Sequence, residues 1–306
     1  MIRFLLALLA VLILLNTANA EEITSCTVIN SPGYYVLAND IIDSSATYCI
    51  QIESSDVILD GNGHVIDGID SSASYGIYVY ATTNPYTNIT IKNVTVTDWN
   101  NGIYFRAVNN GSIANSTATS NRFGISIYSS NSITIANNNA NQNSDNGILV
   151  YSSDNCIIAN NDVSSNDEDG IHLYNSDNNT IASNKASSCY TGINIYHSND
   201  NSITDNVANS NDWYGISIKN SDRNFVLNNS LEFCKQGFYL YYADNNILAI
   251  NTVSSNTWDG MYITYSQENV IASNEISANS RHGVWLYSSN NNTLLRNKIE
   301  GNGGDD

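Results

Sequence analysis

Ten glycines set the frame for this chain. Gly76, Gly102, Gly124, Gly147, Gly170, Gly192, Gly215, Gly237, Gly260 and Gly283 follow one another at spacings of 26, 22, 23, 23, 22, 23, 22, 23 and 23 residues. A period of this size means one structural unit stacked on copies of itself, because a unit this small cannot bury its apolar face alone. From Gly124 onward an asparagine stands 14 residues after each glycine, at Asn138, Asn161, Asn184, Asn206, Asn229, Asn251, Asn274 and Asn297. Variation in length is therefore confined to the remaining part of each unit.

Behind each glycine the residues alternate, as in Gly170-Ile171-His172-Leu173-Tyr174, which is the period-two pattern of a strand with one buried face. A second inward position recurs eleven residues after the glycine (Ile135, Ile158, Ile181, Ile203), and a third follows the asparagine (Val163, Ala186, Ala208, Leu231). Three short strands per coil of 22–23 residues predict an all-β fold, a single-stranded right-handed parallel β-helix of about 11–12 coils. A leucine-rich horseshoe has a similar period but would put leucine at sites that here hold isoleucine and valine. Coils stack at about 4.8 Å, so equivalent residues become vertical neighbours. The asparagines are then expected to form an internal ladder that satisfies buried backbone groups at a corner. The glycines mark another corner, where either a positive φ or a close backbone approach excludes a side chain.

Arg3, the apolar run "FLLALLAVLILL" and "ANA" ending at Ala20 read as a secretory leader over residues 1–20. The run has about 12 residues where a bilayer needs roughly 20, and no later segment is long enough to span. The mature chain is thus expected outside the cytoplasm, at the cell surface, in the periplasm or in the medium. Residues 21–48 read as an N-terminal cap and 49–306 as the repeats. The last coil shows no cap, so either the sequence stops short there or that end is expected to meet another molecule, such as a protein partner. A formal net charge of −18 disfavours nucleic acid and anionic membranes as partners.

Cys26 and Cys49 bracket the segment that lacks repeat support and are expected to be bridged. Cys189 and Cys234 share a column, five residues after the ladder asparagine, but stand two coils apart, about 10 Å, beyond the roughly 7 Å limit of a disulfide. Together with Cys156 they are expected to be free, buried thiols. His64, His172, His197 and His282 are scattered with no metal-site spacing. No cofactor is expected, the one candidate ion being a structural calcium at Asp167, Glu168 and Asp169.

The glycine, isoleucine and asparagine columns, with "GYYVLANDI" and "VILDGNGHVIDG", resemble the NosD-type repeats, also described as the carbohydrate-binding and sugar-hydrolase β-helix domain. The resemblance covers nearly the whole mature chain and implies the pectate-lyase-like architecture. It also implies a link to copper-enzyme maturation, against which the scarcity of Met, His and Cys argues. In proteins of this architecture the groove on the first sheet is where polysaccharide binds.

Outward positions carry whatever function there is. Four residues after the glycines stand Tyr80, Arg106, Tyr128, Tyr151, Tyr174, Tyr196, Lys219, Tyr241, Thr264 and Tyr287; two residues after them, Tyr239, Tyr262 and Trp285 lie close together. Exposed tyrosines stabilise strands by stacking between coils. The same rings can stack on sugar faces, which are apolar on one side and polar at the edge. Density favours Tyr239, Tyr241, Trp258, Tyr262, Trp285 and Tyr287 as the carbohydrate-binding set. An enzymatic alternative, a uronate lyase, epimerase or hydrolase, would rest on His172 with Tyr151, Tyr174, Tyr196 and Asp169. The chain lacks the "DPHD"-type and polygalacturonase-type motifs, and no arginine or lysine stands beside His172 in sequence.

Overall fold

The isoleucine and valine columns become the inner walls of a right-handed parallel β-helix. The computed structural model describes residues 20–304. The first sheet has 12 strands, from Thr27–Ile29 to Val284–Tyr287, and includes every strand that follows a column glycine. The second has 13, from Ala20–Ile23 to Thr293–Leu295. The third is a three-stranded and a four-stranded piece, joined through the middle coils by single bridges such as Asn139 to Asp162 and Lys185 to Val207. All pairings are parallel and without slip, so that Leu149, His172, Asn194 and Ser217 stand above one another. Ile171, Ile181, Ile195 and Ile203 are wholly buried. Each such side chain contributes about 1.5–3 kcal/mol through removal from water.

The asparagine ladder runs as the sequence predicts. The Asn206 Oδ1 accepts from the backbone N–H of Asn184 at 2.9 Å and from its Nδ2 at 3.1 Å. Its own Nδ2 donates to the Ile181 carbonyl at 2.9 Å and to Asn229 Oδ1 at 3.0 Å. The pattern continues to Asn297, which donates to Ile271. Two further asparagine columns run parallel to it: Asn143, Asn166, Asn211, Asn256 and Asn279, and Asn179, Asn201, Asn224, Asn246 and Asn269. Ahead of each rung of the first ladder the backbone turns left-handed, at Asn137, Asn160, Ser183, Asp205, Asn228 and Ile250 among others. Ile250 is held at φ 58° although it is β-branched, so the stacked coils impose the corner regardless of residue preference.

The glycines resolve differently. None of the ten column glycines has a positive φ; among the described glycines only Gly63 and Gly301 do. Close approach is the reason instead. A Cβ on Gly124 would lie 2.6 Å from the Gly147 carbonyl oxygen and 2.8 Å from Asn143 Nδ2.

Residues 21–48 join the same stack. Ala20–Ile23 pairs with Gly33–Leu37, and Thr27–Ile29 pairs with Tyr48–Ile52, so the segment forms the first rungs of the sheets at their N-terminal end. Of the leader, residues 1–19 lie outside the described residues. Among those described, no helix is long and apolar enough to cross a membrane. In the last coil Leu286, Leu294 and Leu295 are exposed.

Cys26 and Cys49 are disulfide-bonded across adjacent coils, with Cα atoms 4.3 Å apart. Cys156, Cys189 and Cys234 are free and buried. Each replaces a rung: Cys189 N–H donates to Asn211 Oδ1 at 2.9 Å, and Cys156 N–H to Asn179 Oδ1 at 2.7 Å. Desolvation pushes the three thiols up to about 11, 12 and 11. Native protein at neutral pH should therefore leave all three unalkylated. In denaturant without reductant, mass spectrometry should find those three modified and Cys26 and Cys49 untouched. Alkylation of native Cys189 would contradict the burial.

Candidate functional site

Each strand of the first sheet presents three outward positions: the residue before the glycine, the second after it and the fourth after it. They do not behave alike. Tyr104, Ser126, Leu149 and Ser217, all at the second position, are buried although they point away from the core. The larger side chains on either side close over them, leaving a groove whose floor is the middle column. In the middle coils His172, Asn194 and Ser217 form that floor, and each has a buried polar atom without a protein partner: Nε2, Oδ1 and Oγ respectively.

The tyrosines form columns along the groove. Tyr78 and Tyr104 stack at 5.5 Å and 10°, Tyr128 and Tyr151 at 5.2 Å and 27°, and Tyr151 and Tyr174 at 4.9 Å and 2°. These separations match the coil spacing, so in these three pairs each ring covers its neighbour's face. Edges and phenol hydroxyls are what the column leaves for the groove. Burial raises the pKa of several of these phenols, Tyr104 and Tyr214 to about 12, which keeps them protonated as hydrogen-bond donors.

The residues singled out in the sequence fall into clusters. His172 Nδ1 lies 3.0 Å from Asp169 Oδ2, which also accepts from Asn194 Nδ2 at 2.9 Å. Tyr151, Tyr174 and Tyr196 stand beside them, Tyr174 and Tyr196 edge-to-face at 5.2 Å. Toward the C-terminal end, Tyr239, Tyr262 and Trp285 form one column, with centroid separations of 5.8 and 5.0 Å. Tyr241 and Tyr287 belong to a second one, through Tyr242 and Tyr265. Trp258 belongs to neither. It packs against Trp213 at 6.3 Å and holds Lys235 Nζ 4.0 Å from its ring centroid.

Several residues here escape a reading based only on the second and fourth positions. Asp259, wholly buried before Gly260, accepts from Gln236 Nε2 at 3.1 Å and lies 2.8 Å from His282 Nδ1. Arg281 lies against both Trp258 and Trp285, at 5.4 and 5.3 Å. Lys219, at the fourth position and so within that reading, sits over the Tyr214 and Tyr239 rings, with its pKa lowered by desolvation. The signal was in the sequence: counting two back from successive glycines gives Tyr190, Trp213, Lys235, Trp258 and Arg281.

Two concavities open on this face. One of about 380 Å³ is lined by Asn194, Tyr196, Lys219, Asn220 and Tyr241, and one of about 440 Å³ lies around Tyr104, Arg106, Tyr128 and Tyr151. A larger one, about 580 Å³, lies at the margin of the N-terminal coils and is lined by Asp70, Asp98, Trp99 and Arg122, away from the ring clusters of the C-terminal third.

A family profile described as "Periplasmic copper-binding protein (NosD)" matches residues 16–232 and 187–305. No curated protein sequence matches the chain. Among solved structures, the chain is similar to the mannuronan C-5 epimerase AlgE6 A-module of Azotobacter vinelandii, at 17% identity and TM-score 0.65, over 90% of this chain and 79% of that one. It is also similar to a variant of the periplasmic alginate epimerase AlgG, at 17% identity and TM-score 0.63, over 89% and 70%. A third similar structure is a DFA-IIIase variant from Arthrobacter chlorophenolicus, at 11% identity and TM-score 0.57, over 88% and 75%. At these identities the likeness is one of fold.

Copper does not fit the side chains present. Among the described residues no three His, Cys, Asp or Glu side chains converge to share an ion, at Asp167, Glu168 and Asp169 or elsewhere. The free thiols are buried, which raises their pKa and disfavours the thiolate form a metal would need. What the profile match does carry is the coil-building pattern over almost the whole chain, and by it this protein belongs to the NosD family of parallel β-helix proteins.

Proposed function

We propose that this protein is exported and binds polysaccharide along the outer face of the first sheet. The observation that carries the reading is the near-continuous run of rings on one face, from Tyr48 through Tyr78, Tyr104, Tyr128, Tyr151, Tyr174 and Tyr196, resuming at Tyr214 and ending at Trp285. Rings repeating at the coil spacing offer hydroxyls and edges at regular intervals, which suits a polymer of hydroxylated rings better than a compact ligand. The periplasmic description of the family and the leader at residues 1–20 support export. The epimerases of similar fold are named for action on mannuronan and alginate, which supports a polymeric ligand.

Trp285 and Tyr262 are the anchors to test, because contact energy at such surfaces concentrates in a few aromatic side chains, often about 2 kcal/mol or more each. Trp285→Ala and Tyr262→Ala should each weaken retention in affinity electrophoresis through a polysaccharide gel and leave the melting temperature nearly unchanged. Retention equal to the parent would assign the rings to coil stacking alone.

A second reading, proton abstraction from a uronate, is favoured by the Asp169 to His172 pair, which leaves His172 Nε2 without a protein partner. Its test is whether the protein converts polyuronates, with His172→Ala as the control.

A further inference from the structure

We propose that the polysaccharide is a polyanion, bearing carboxylate or sulfate groups, and that Lys235 and Arg281 hold its charges beside the Trp213, Trp258 and Trp285 rings. This rests on the polysaccharide-binding reading and specifies its ligand. The chain has 11 basic residues against 29 acidic, and half of its ten described lysines and arginines pair with a carboxylate within 3.3 Å. Lys92 pairs with Asp60 at 3.0 Å, Arg122 with Asp145 at 3.3 Å, Lys185 with Asp162 at 3.3 Å, Arg223 with Asp200 at 2.8 Å and Lys298 with Glu275 at 2.9 Å.

The cations of the groove are held differently. Lys235 Nζ lies 3.1 Å from the Trp213 ring centroid and 4.0 Å from that of Trp258, and it makes no ion pair among the described residues. Lys219 likewise rests on Tyr214 and Tyr239, and Arg106 on Tyr80. Arg281 reaches Asp259 only at 4.0 Å, and that carboxylate already takes His282 at 2.8 Å and Gln236 at 3.1 Å. Arg296, on an outer corner away from this face, is the other described cation without a carboxylate. In an acidic protein, cations kept off their own carboxylates and fixed on aromatic rings remain available to a foreign anion. A ring holds an ammonium by about 0.5–2 kcal/mol without neutralising it.

The arrangement is also periodic. Two residues before successive glycines the chain reads Trp213, Lys235, Trp258, Arg281, a cation on every second coil, about 10 Å apart along the helix axis. Regular spacing fits a polymer with regularly placed charges. The carboxylates adjacent in sequence to the tryptophans are Asp259, already occupied, and Asp212, exposed before Trp213. The acidic remainder of the molecule acts over longer distances and is screened beyond about 8 Å at physiological ionic strength.

The test is affinity electrophoresis of the full chain in gels containing polygalacturonate, dextran sulfate or a neutral glucan. Retardation by a charged polymer and not by the glucan is the expected result, lost in about 1 M salt, where screening sets in at about 3 Å. Lys235→Gln and Arg281→Gln should each weaken it roughly tenfold, with an unchanged melting temperature for Lys235→Gln. Polygalacturonate alone would assign carboxylate, dextran sulfate alone sulfate. Equal retention by the glucan, or undiminished binding in both variants, overturns the polyanion inference and leaves polysaccharide binding standing. No retention by any of the three overturns both. Because the protein is itself strongly anionic, retention by a polyanion cannot come from its net charge.

Discussion

Asn206→Leu should lower stability by about 4 kcal/mol, read as a fall in the midpoint of denaturant unfolding. Leucine fills a similar volume but neither accepts nor donates. The Asn184 backbone N–H and one Asn184 Nδ2 proton lose their acceptor, and the Ile181 carbonyl loses its donor. All are buried, and each unsatisfied buried group costs about 1–3 kcal/mol. Asn206→Ser should recover part of it, as serine rungs such as Ser176 accept from the preceding coil's N–H and donate to its carbonyl, but it cannot also reach Asn229. An unchanged midpoint for the leucine variant would mean that the ladder follows from the fold without holding it. Since each coil contacts only its neighbours, damage at mid-stack should split unfolding into stages instead of lowering one transition uniformly.

Gly192→Ala is expected to be as severe for the opposite reason, too many atoms instead of too few bonds. The added methyl would lie 2.7 Å from the Ala186 and Gly215 carbonyl oxygens and 2.7 Å from Asn211 Nδ2. Two of these are backbone oxygens, that of Ala186 in the same coil and that of Gly215 in the paired strand of the next, so relief requires backbone to move. Overpacking of this kind costs about 3 kcal/mol or more. Gly63→Ala is the control: nothing lies within 4 Å of its Cβ, and only its φ of 83° opposes the substitution. If Gly192→Ala melts like the parent, the close approach is not what fixes the glycine column.

These two columns explain why the fold was legible while the functional face was only partly so. Inward residues meet their own equivalents one coil away, so a repeat in sequence is a contact in space. Asn184, Asn206 and Asn229 could be placed on one ladder by counting alone, and Cys189 and Cys156 could be recognised as substituted rungs. For the glycines, counting left two causes open, and only the distances between coils selected close approach over a left-handed turn.

Outward residues obey no such rule, because long side chains lean across columns and coils. Ser126, Leu149 and Ser217 point away from the core yet are covered by their neighbours, which no count of alternation could reveal. Alignment of the tyrosines was visible in the sequence, but their interplanar angles were not: pairs such as Tyr151 and Tyr174 stack and cover their faces, while Tyr174 and Tyr196 meet edge to face. The pairing of Lys235 with Trp213 and Trp258, of Arg281 with Trp258 and of His282 with buried Asp259 runs along single columns but joins unlike side chains, and Arg281 also leans across to Trp285 within its own coil. Sequence period by itself determined the coil, its core and its ladders, because those depend on vertical stacking of like on like. Which outward groups keep their charge and hydroxyls free was decided only by the tertiary structure, because it depends on contacts between unlike side chains.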